Sequence, residues 1–242
     1  MTLGDLPEIE LFHGIFTLIN VIISIVIGLR IASKYVEYKR KELLTVGLSL
    51  TFGGSVYWSS VIAFITIIFF NYEPGLAFHM AFHIFPPIGL LLWIYSISLL
   101  LYPKSLKKIV VIFTVICMVY EFFLLYYLLT DPSLLGRRTG IILNETYLLI
   151  NSFLLFSVSV IVITTVLFTR QSLKSDDPRI RWKGKFIFIG TILFLIAGTI
   201  GIIIPDSPVQ IVLTRTIYII GSIASYIGWL LPERIAKLLI KD

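Results

Sequence analysis

Long apolar stretches alternate with short polar segments along the whole chain. A helix crosses a bilayer core about 30 Å thick with about 20 apolar residues, and these stretches are of about that length or longer. They predict seven transmembrane helices, called spans 1 to 7, at residues 11–33, 43–70, 76–102, 109–130, 147–169, 186–204 and 209–231. Because the spans use nearly all of the sequence, we predict one membrane domain over residues 1–231. Residues 232–242 are predicted to form a short amphipathic cytoplasmic tail.

The composition agrees with this pattern. The 242 residues are 57% hydrophobic and 14% charged, with a mean hydropathy of +0.96, whereas soluble domains carry about 25% charged residues. The expected fold is therefore an all-α integral membrane protein, a seven-transmembrane-helix bundle. Cys117 is the single cysteine, which excludes a disulfide within the chain.

The basic residues predict the orientation of the bundle. Seventeen of the 20 Lys and Arg residues fall in segments 30–42, 103–108, 170–185 and 232–242, which alternate along the chain with loops whose only basic residues are Arg137 and Arg138. Cytoplasmic loops carry the excess of Lys and Arg in membrane proteins. We therefore expect the N-terminus outside, the C-terminus in the cytoplasm and a multi-pass location in the cell membrane. The net charge of +6 then reflects anchoring at the bilayer, and no nucleic-acid partner is expected.

Span 3 carries the most unusual sequence. His79 and His83 are one helical turn apart and share a face, and Pro86 and Pro87 follow them directly. Proline lacks the N–H that pairs with the carbonyl four residues earlier. We therefore predict a broken helix with free carbonyl groups at the level of His83.

Ionisable side chains inside the other spans are also concentrated in the outer half. Charged side chains within a bilayer are costly and are candidates for function by default. Glu121 lies in span 4 and Arg215 in span 7, and the simplest joint explanation is an ion pair or a pair bridged by a ligand. Asn151 and His13 lie nearer the outer surface, in spans 5 and 1.

The two histidines of span 3 raise the possibility of a metal site. His79 and His83 could supply two nitrogen ligands to zinc or another transition metal, with Glu121 or His13 as a third. A haem would require His13 to pair with one of them, since two residues on one helix face cannot be opposite axial ligands. The alternative is that the two histidines are hydrogen-bonded interfacial residues.

Several seven-helix families lack support in this sequence. Span 7 contains no lysine for a Schiff base, which argues against covalently bound retinal. The sequence identifies no other cofactor. The inner end of span 3 lacks the acidic-Arg-aromatic motif of rhodopsin-like receptors, and span 7 lacks their Asn-Pro-x-x-Tyr motif. The Pro-Gln pairs of PQ-loop transporters are also absent. The general layout resembles the seven-helix sensor modules that precede microbial signalling domains, although no specific motif carries that resemblance.

The leading functional hypothesis is a sensor- or receptor-like binding module. Its ligand would enter a polar pocket in the outer half of the bundle, lined by His79, His83, Glu121, Asn151 and Arg215. Arg215 would suit a carboxylate or a phosphate. The signal would pass to a separate cytoplasmic protein through loop 170–185, where Arg179, Arg181 and Trp182 are the candidate docking residues.

Two alternatives stay open. The first is a metal- or haem-binding membrane enzyme or redox protein that uses His79 and His83. The sequence has neither a His-Glu-x-x-His run nor a Gly-x-Ser-x-Gly elbow, so binding is favoured over catalysis. The second is a small-solute transporter in which span 3 is the broken helix at the site.

Overall fold

The computed structural model describes residues 6–204 and 207–240. It is 86% helical and contains seven helical segments long and apolar enough to cross a membrane. The prediction of a helical bundle with seven apolar helices long enough to cross a membrane is therefore confirmed. Pro205 and Asp206, which we expected in the turn between spans 6 and 7, lie outside the described residues.

The described chain forms ten α-helices and one β-hairpin. Spans 2 and 3 each consist of two helices, and a short helix follows span 7. The helices are α1 Glu8–Tyr38, α2 Lys41–Gly53, α3 Trp58–Phe70, α4 Leu76–Ala81, α5 Phe85–Leu101, α6 Leu106–Thr130, α7 Leu148–Leu173, α8 Pro178–Ile203, α9 Pro208–Leu230 and α10 Glu233–Leu239. The strands are β1 Gly136–Arg138 and β2 Asn144–Thr146, paired antiparallel.

Several helices extend beyond the predicted apolar segments. Span 1 was predicted over 11–33, and its helix α1 runs over Glu8–Tyr38. Span 6 was predicted over 186–204, and its helix α8 begins at Pro178. Helical hydrogen bonding does not require apolar side chains, so polar residues continue a helix past the hydrophobic stretch. α1 ends where Lys39 adopts a left-handed conformation with φ 54°.

Spans 2 and 3 are interrupted at neighbouring positions. The break predicted from Pro86 and Pro87 is present, since α4 and α5 are joined by a 3₁₀ turn over Phe82–Ile84. A second 3₁₀ turn over Gly54–Tyr57 joins α2 to α3 and was not predicted. The two turns contact each other, and Phe85 packs against Trp58 with ring centroids 5.4 Å apart.

The hairpin lies in the segment that joins spans 4 and 5. Its register pairs Gly136 with Thr146 and Arg138 with Asn144. It contacts α4, and Arg138 forms an ion pair with Glu73 in the loop before that helix. We call this end of the bundle the hairpin end, and the opposite end, where most Lys and Arg residues lie, the basic end.

Small residues allow two helix pairs to approach closely. A Cβ added to Gly47 of α2 would lie 2.4 Å from the Gly28 carbonyl oxygen of α1. A Cβ added to Gly190 of α8 would lie 2.5 Å from the Ser225 hydroxyl of α9. Such contacts between small residues are typical of helix association in lipid. Gly221, Ser225 and Gly228 are buried in the α8–α9 contact region.

The lateral surface of the bundle exposes many apolar side chains. α6 buries only Cys117, Tyr120 and Leu124, while Met118, Phe122 and Leu129 are exposed. Exposed apolar patches on a soluble monomer rarely exceed a few hundred Å². These surfaces are compatible with a lipid environment.

Candidate functional site

One face of α1 is polar although it is buried. Glu10, His13, Thr17 and Asn20 are all at most 8% exposed. Their spacing of three and four residues places them on one side of the helix. This spacing of polar residues inside an apolar stretch was visible in the sequence, but our predicted pocket included none of them.

Arg215 lies against this polar face. Its Nε donates a hydrogen bond to the Thr17 hydroxyl at 3.1 Å, and its guanidinium carbon lies 4.2 Å from the centroid of the Tyr57 ring. Tyr57 belongs to the 3₁₀ turn of span 2, and its ring packs edge-on against Tyr218 of α9 at 5.8 Å. α1, the break in span 2 and α9 therefore jointly surround one cationic group.

His13 adds a second polar group to this region. It precedes Thr17 by one turn of α1 and is 8% exposed. Neither ring nitrogen has a hydrogen-bond partner in the described part of the chain. Buried polar atoms without partners are rare in native structures. We call His13, Thr17, Tyr57 and Arg215 the Arg215 cluster.

The predicted ion pair between Glu121 and Arg215 is wrong. No carboxylate forms a salt bridge with Arg215 within residues 6–204 and 207–240. Glu121 is half-buried on α6, which packs against α5 and α7, whereas α9 packs against α1 and α8. Two charges in the same half of a membrane protein need not meet, because pairing depends on the order of helices around the bundle. That order was not readable from the sequence.

The break in span 3 is stabilised by a neighbouring helix. The Tyr120 hydroxyl of α6 donates a hydrogen bond to the His83 carbonyl at 3.2 Å, which is the acceptor that Pro87 leaves free. The Cys117 thiol lies 3.9 Å from the Pro87 carbonyl. His83 Nδ1 lies 3.3 Å from the Met80 carbonyl, so the backbone and side chain of His83 both have structural partners.

His79 differs from His83. It is 1% exposed and neither ring nitrogen has a partner among the described residues. Its ring packs edge-on against Phe78 with centroids 5.7 Å apart. No group of three or more His, Cys, Asp or Glu side chains suited to a metal ion occurs within the described residues, so the third ligand that the metal hypothesis required is not in place there.

At the hairpin end, the carboxylate of Glu10 binds the loop of the hairpin to α1. Both carboxylate oxygens of Glu10 accept hydrogen bonds from the loop between the strands, from the Ile141 N–H at 2.9 Å and the Ile142 N–H at 2.7 Å. Ile142 is fully buried against Phe64 and Ile67 of α3. The tip of the hairpin therefore inserts between α1 and α3.

Asn151 forms hydrogen bonds with a nearby residue. Its amide oxygen accepts from the Thr146 hydroxyl and its amide nitrogen donates to the Thr146 carbonyl, both at 2.6 Å. It thus ties β2 to the first turn of α7 and is itself exposed. The residues predicted to line one pocket are consequently distributed: Arg215 lies in its cluster, His79 and His83 at the break in span 3, and Glu121 and Asn151 elsewhere.

The three residues predicted to dock a cytoplasmic partner lie at the start of α8. Arg179 makes two hydrogen bonds to the Glu233 carboxylate, at 2.8 and 3.2 Å, and these bonds hold the pKa of Glu233 below its ordinary value. Trp182 stacks under the Lys185 ammonium at 4.3 Å from its ring centroid. Arg181 is exposed and forms no salt bridge to a described residue.

The sequence matches no protein-family model, and no curated protein matches it significantly.

Proposed function

We propose that this chain is a multi-pass protein of the cell membrane that acts as a sensor- or receptor-like binding module. Its ligand is a small solute with a carboxylate or phosphate group, which enters from the outer side and binds at the Arg215 cluster. The observation that carries this proposal is a buried arginine, 7% exposed, with no carboxylate partner among the described residues.

The orientation is argued from charge. Most Lys and Arg residues lie at the basic end, which supports a cytoplasmic location for that end by the positive-inside rule. The hairpin end, with the N-terminal end of α1, then faces outward. Arg215 is seven residues from the start of α9, roughly 10 Å along the helix at 1.5 Å per residue.

The chemistry of the site favours an anion. A guanidinium group has five N–H donors, and among the described residues only Nε of Arg215 has an acceptor, the Thr17 hydroxyl. The two terminal nitrogens form a planar fork that suits the paired oxygens of a carboxylate or phosphate. A bound anion would also reduce the cost of a charge within the bilayer. His13 precedes Thr17, the residue that Arg215 contacts, by one turn of α1, and we expect its unpartnered ring nitrogens to contact the same ligand.

In this proposal the signal passes to a separate cytoplasmic protein. We place its docking surface at the start of α8, with Arg181 and Trp182 as the contact residues. Arg179 is instead engaged with Glu233, so its role there is to fix α10 beside the docking surface.

The test is ligand-dependent thermal unfolding of the purified protein in mild detergent. Sodium phosphate, acetate and succinate are each titrated at constant ionic strength against chloride. We expect at least one anion to raise the unfolding temperature saturably, since a ligand at a hundred times its Kd stabilises the folded state by about 2.7 kcal/mol. Arg215→Gln removes the charge and should abolish that rise.

Two further variants make the result specific. Arg137→Gln removes an exposed arginine from the same end of the bundle and should keep the full response. Thr17→Val keeps the shape and the arginine but loses the hydroxyl that orients it, so it should weaken the affinity even if Arg215→Gln fails to fold. The proposal is overturned if no anion gives a saturable rise, or if Arg215→Gln responds like the wild type.

A further inference from the structure

A groove on the side of the bundle lies between α1 and α9, toward the basic end. It has a volume of about 280 Å³ and is lined by Val26, Ile27, Arg30, Ile223 and Tyr226. Apart from the guanidinium of Arg30 and the hydroxyl of Tyr226, its lining side chains are apolar. It shares no residue with the Arg215 cluster.

Arg30 is an exposed cation inside a membrane-length apolar helix. It precedes the end of α1 at Tyr38 by eight residues, roughly 12 Å of helix. It forms no salt bridge to any described residue, and the acid that follows it on α1, Glu37, is bound by Lys34. Arg30 lies three residues before the end of the predicted apolar segment 11–33, roughly 4.5 Å of helix, and from there a long arginine side chain reaches the headgroup level.

The groove opens sideways. Val26 and Ile223 at its rim are 61% and 45% exposed, so it faces the lateral surface of the bundle rather than its polar ends. In the proposed membrane setting this surface meets lipid tails. An occupant must therefore be apolar along the groove and carry an oxyanion where Arg30 lies.

We propose that this groove binds a phospholipid of net negative charge from the cytoplasmic leaflet. One acyl chain lies against Val26 and Ile223, and the phosphate accepts hydrogen bonds from the guanidinium fork of Arg30. Because Arg30 has no counter-charge among the described residues, an anionic headgroup is favoured over a zwitterionic one. This inference rests on the membrane location in the proposed function, but it is independent of the anion at Arg215.

A second groove at the basic end repeats this combination of groups. It has a volume of about 350 Å³ and is lined by Tyr35, Lys41, Leu44, Thr45, Leu92 and Tyr95. It too combines one cation and tyrosine hydroxyls with apolar walls. The pattern is consistent with lipid contacts on both sides of α1.

The test is native mass spectrometry of the full chain, released from detergent and titrated with phosphatidylglycerol or phosphatidylcholine. We expect the wild type to retain phosphatidylglycerol preferentially. Arg30→Gln should bind that lipid roughly tenfold more weakly, the effect of losing one charge-assisted contact. Ile223→Trp should also weaken binding, because it fills the groove without changing the charge.

Lys104→Gln is the matched control, since it removes one exposed charge at the basic end outside both grooves. It should bind phosphatidylglycerol like the wild type. Equal retention of the two lipids by the wild type indicates a non-selective lipid layer and overturns the proposal. Unchanged binding by both Arg30→Gln and Ile223→Trp overturns it as well. Neither result bears on the response of Arg215 to soluble anions.

Discussion

At the scale of single residues, the most informative contact is the hydrogen bond from the Tyr120 hydroxyl to the His83 carbonyl. Proline at position 87 leaves this carbonyl without its helical partner, and the environment there is buried. An unpaired backbone acceptor in such a place costs free energy comparable to a lost hydrogen bond. The tyrosine therefore makes the break in span 3 compatible with a membrane interior.

Tyr120→Phe should lower the free energy of unfolding by about 1 to 3 kcal/mol, because the His83 carbonyl loses its donor while the ring packing against Phe153 is kept. The measurement is thermal or chemical unfolding in detergent. Tyr126→Phe, at an exposed position on the same helix, is the control and should have no effect. Equal stability of the two variants would show that water or another group replaces the tyrosine.

The residues of the candidate site were only partly predictable. Arg215 and the histidines stand out because charged and imidazole groups are rare inside apolar stretches. Thr17, Tyr57 and Tyr120 do not stand out, since hydroxyl residues are common in membrane helices and their roles depend on which helix lies opposite. The predicted ion pair between Glu121 and Arg215 was wrong because pairing also depends on which helices are neighbours.

At the scale of helices, close packing depends on glycine at the α1–α2 crossing. Gly28 and Gly47 face each other with no room for a side chain. The break at Pro86 followed from the sequence, whereas several helices extend beyond the predicted apolar segments. The break at Gly54–Tyr57 did not follow from the sequence, because glycines in apolar helices serve packing more often than they interrupt the helix.

Gly47→Ala should destabilise the bundle by about 1 to 3 kcal/mol, since its new methyl group would force the two backbones apart. Gly53→Ala provides a control in the same helix, as a Cβ there meets nothing within 4 Å. It should be neutral or slightly stabilising. The comparison is made by unfolding temperature in one detergent, and a Gly53→Ala variant as unstable as Gly47→Ala would argue against the packing explanation.

At the scale of the whole molecule, the hairpin end and the basic end differ in both charge and structure. The hairpin end is covered by a folded loop that Glu10 and Ile142 hold in place. The basic end carries the exposed start of α8 and the short helix α10. The prediction of seven apolar helices long enough to cross a membrane was confirmed. The folded loop over the hairpin end was not predicted, because its strands are three residues long and lack an apolar pattern.

Cysteine labelling in intact cells tests the proposed orientation. Cys117 is 3% exposed, so the wild-type chain should give little background with a membrane-impermeant maleimide. Leu134→Cys, at the hairpin end, should be labelled in intact cells. Lys104→Cys, at the basic end, should be labelled only after the cells are permeabilised, and the reverse pattern would place the N-terminus inside.

Tyr57 takes part in two features at once. Its ring lies on the guanidinium of Arg215, and its backbone forms the last residue of the 3₁₀ turn in span 2, which touches the 3₁₀ turn in span 3. A 3₁₀ segment has poorer hydrogen-bond geometry than the helix on either side of it. We therefore expect spans 2 and 3 to bend at these turns more readily than within their α-helices, and a ligand that shifts Tyr57 to move both turns.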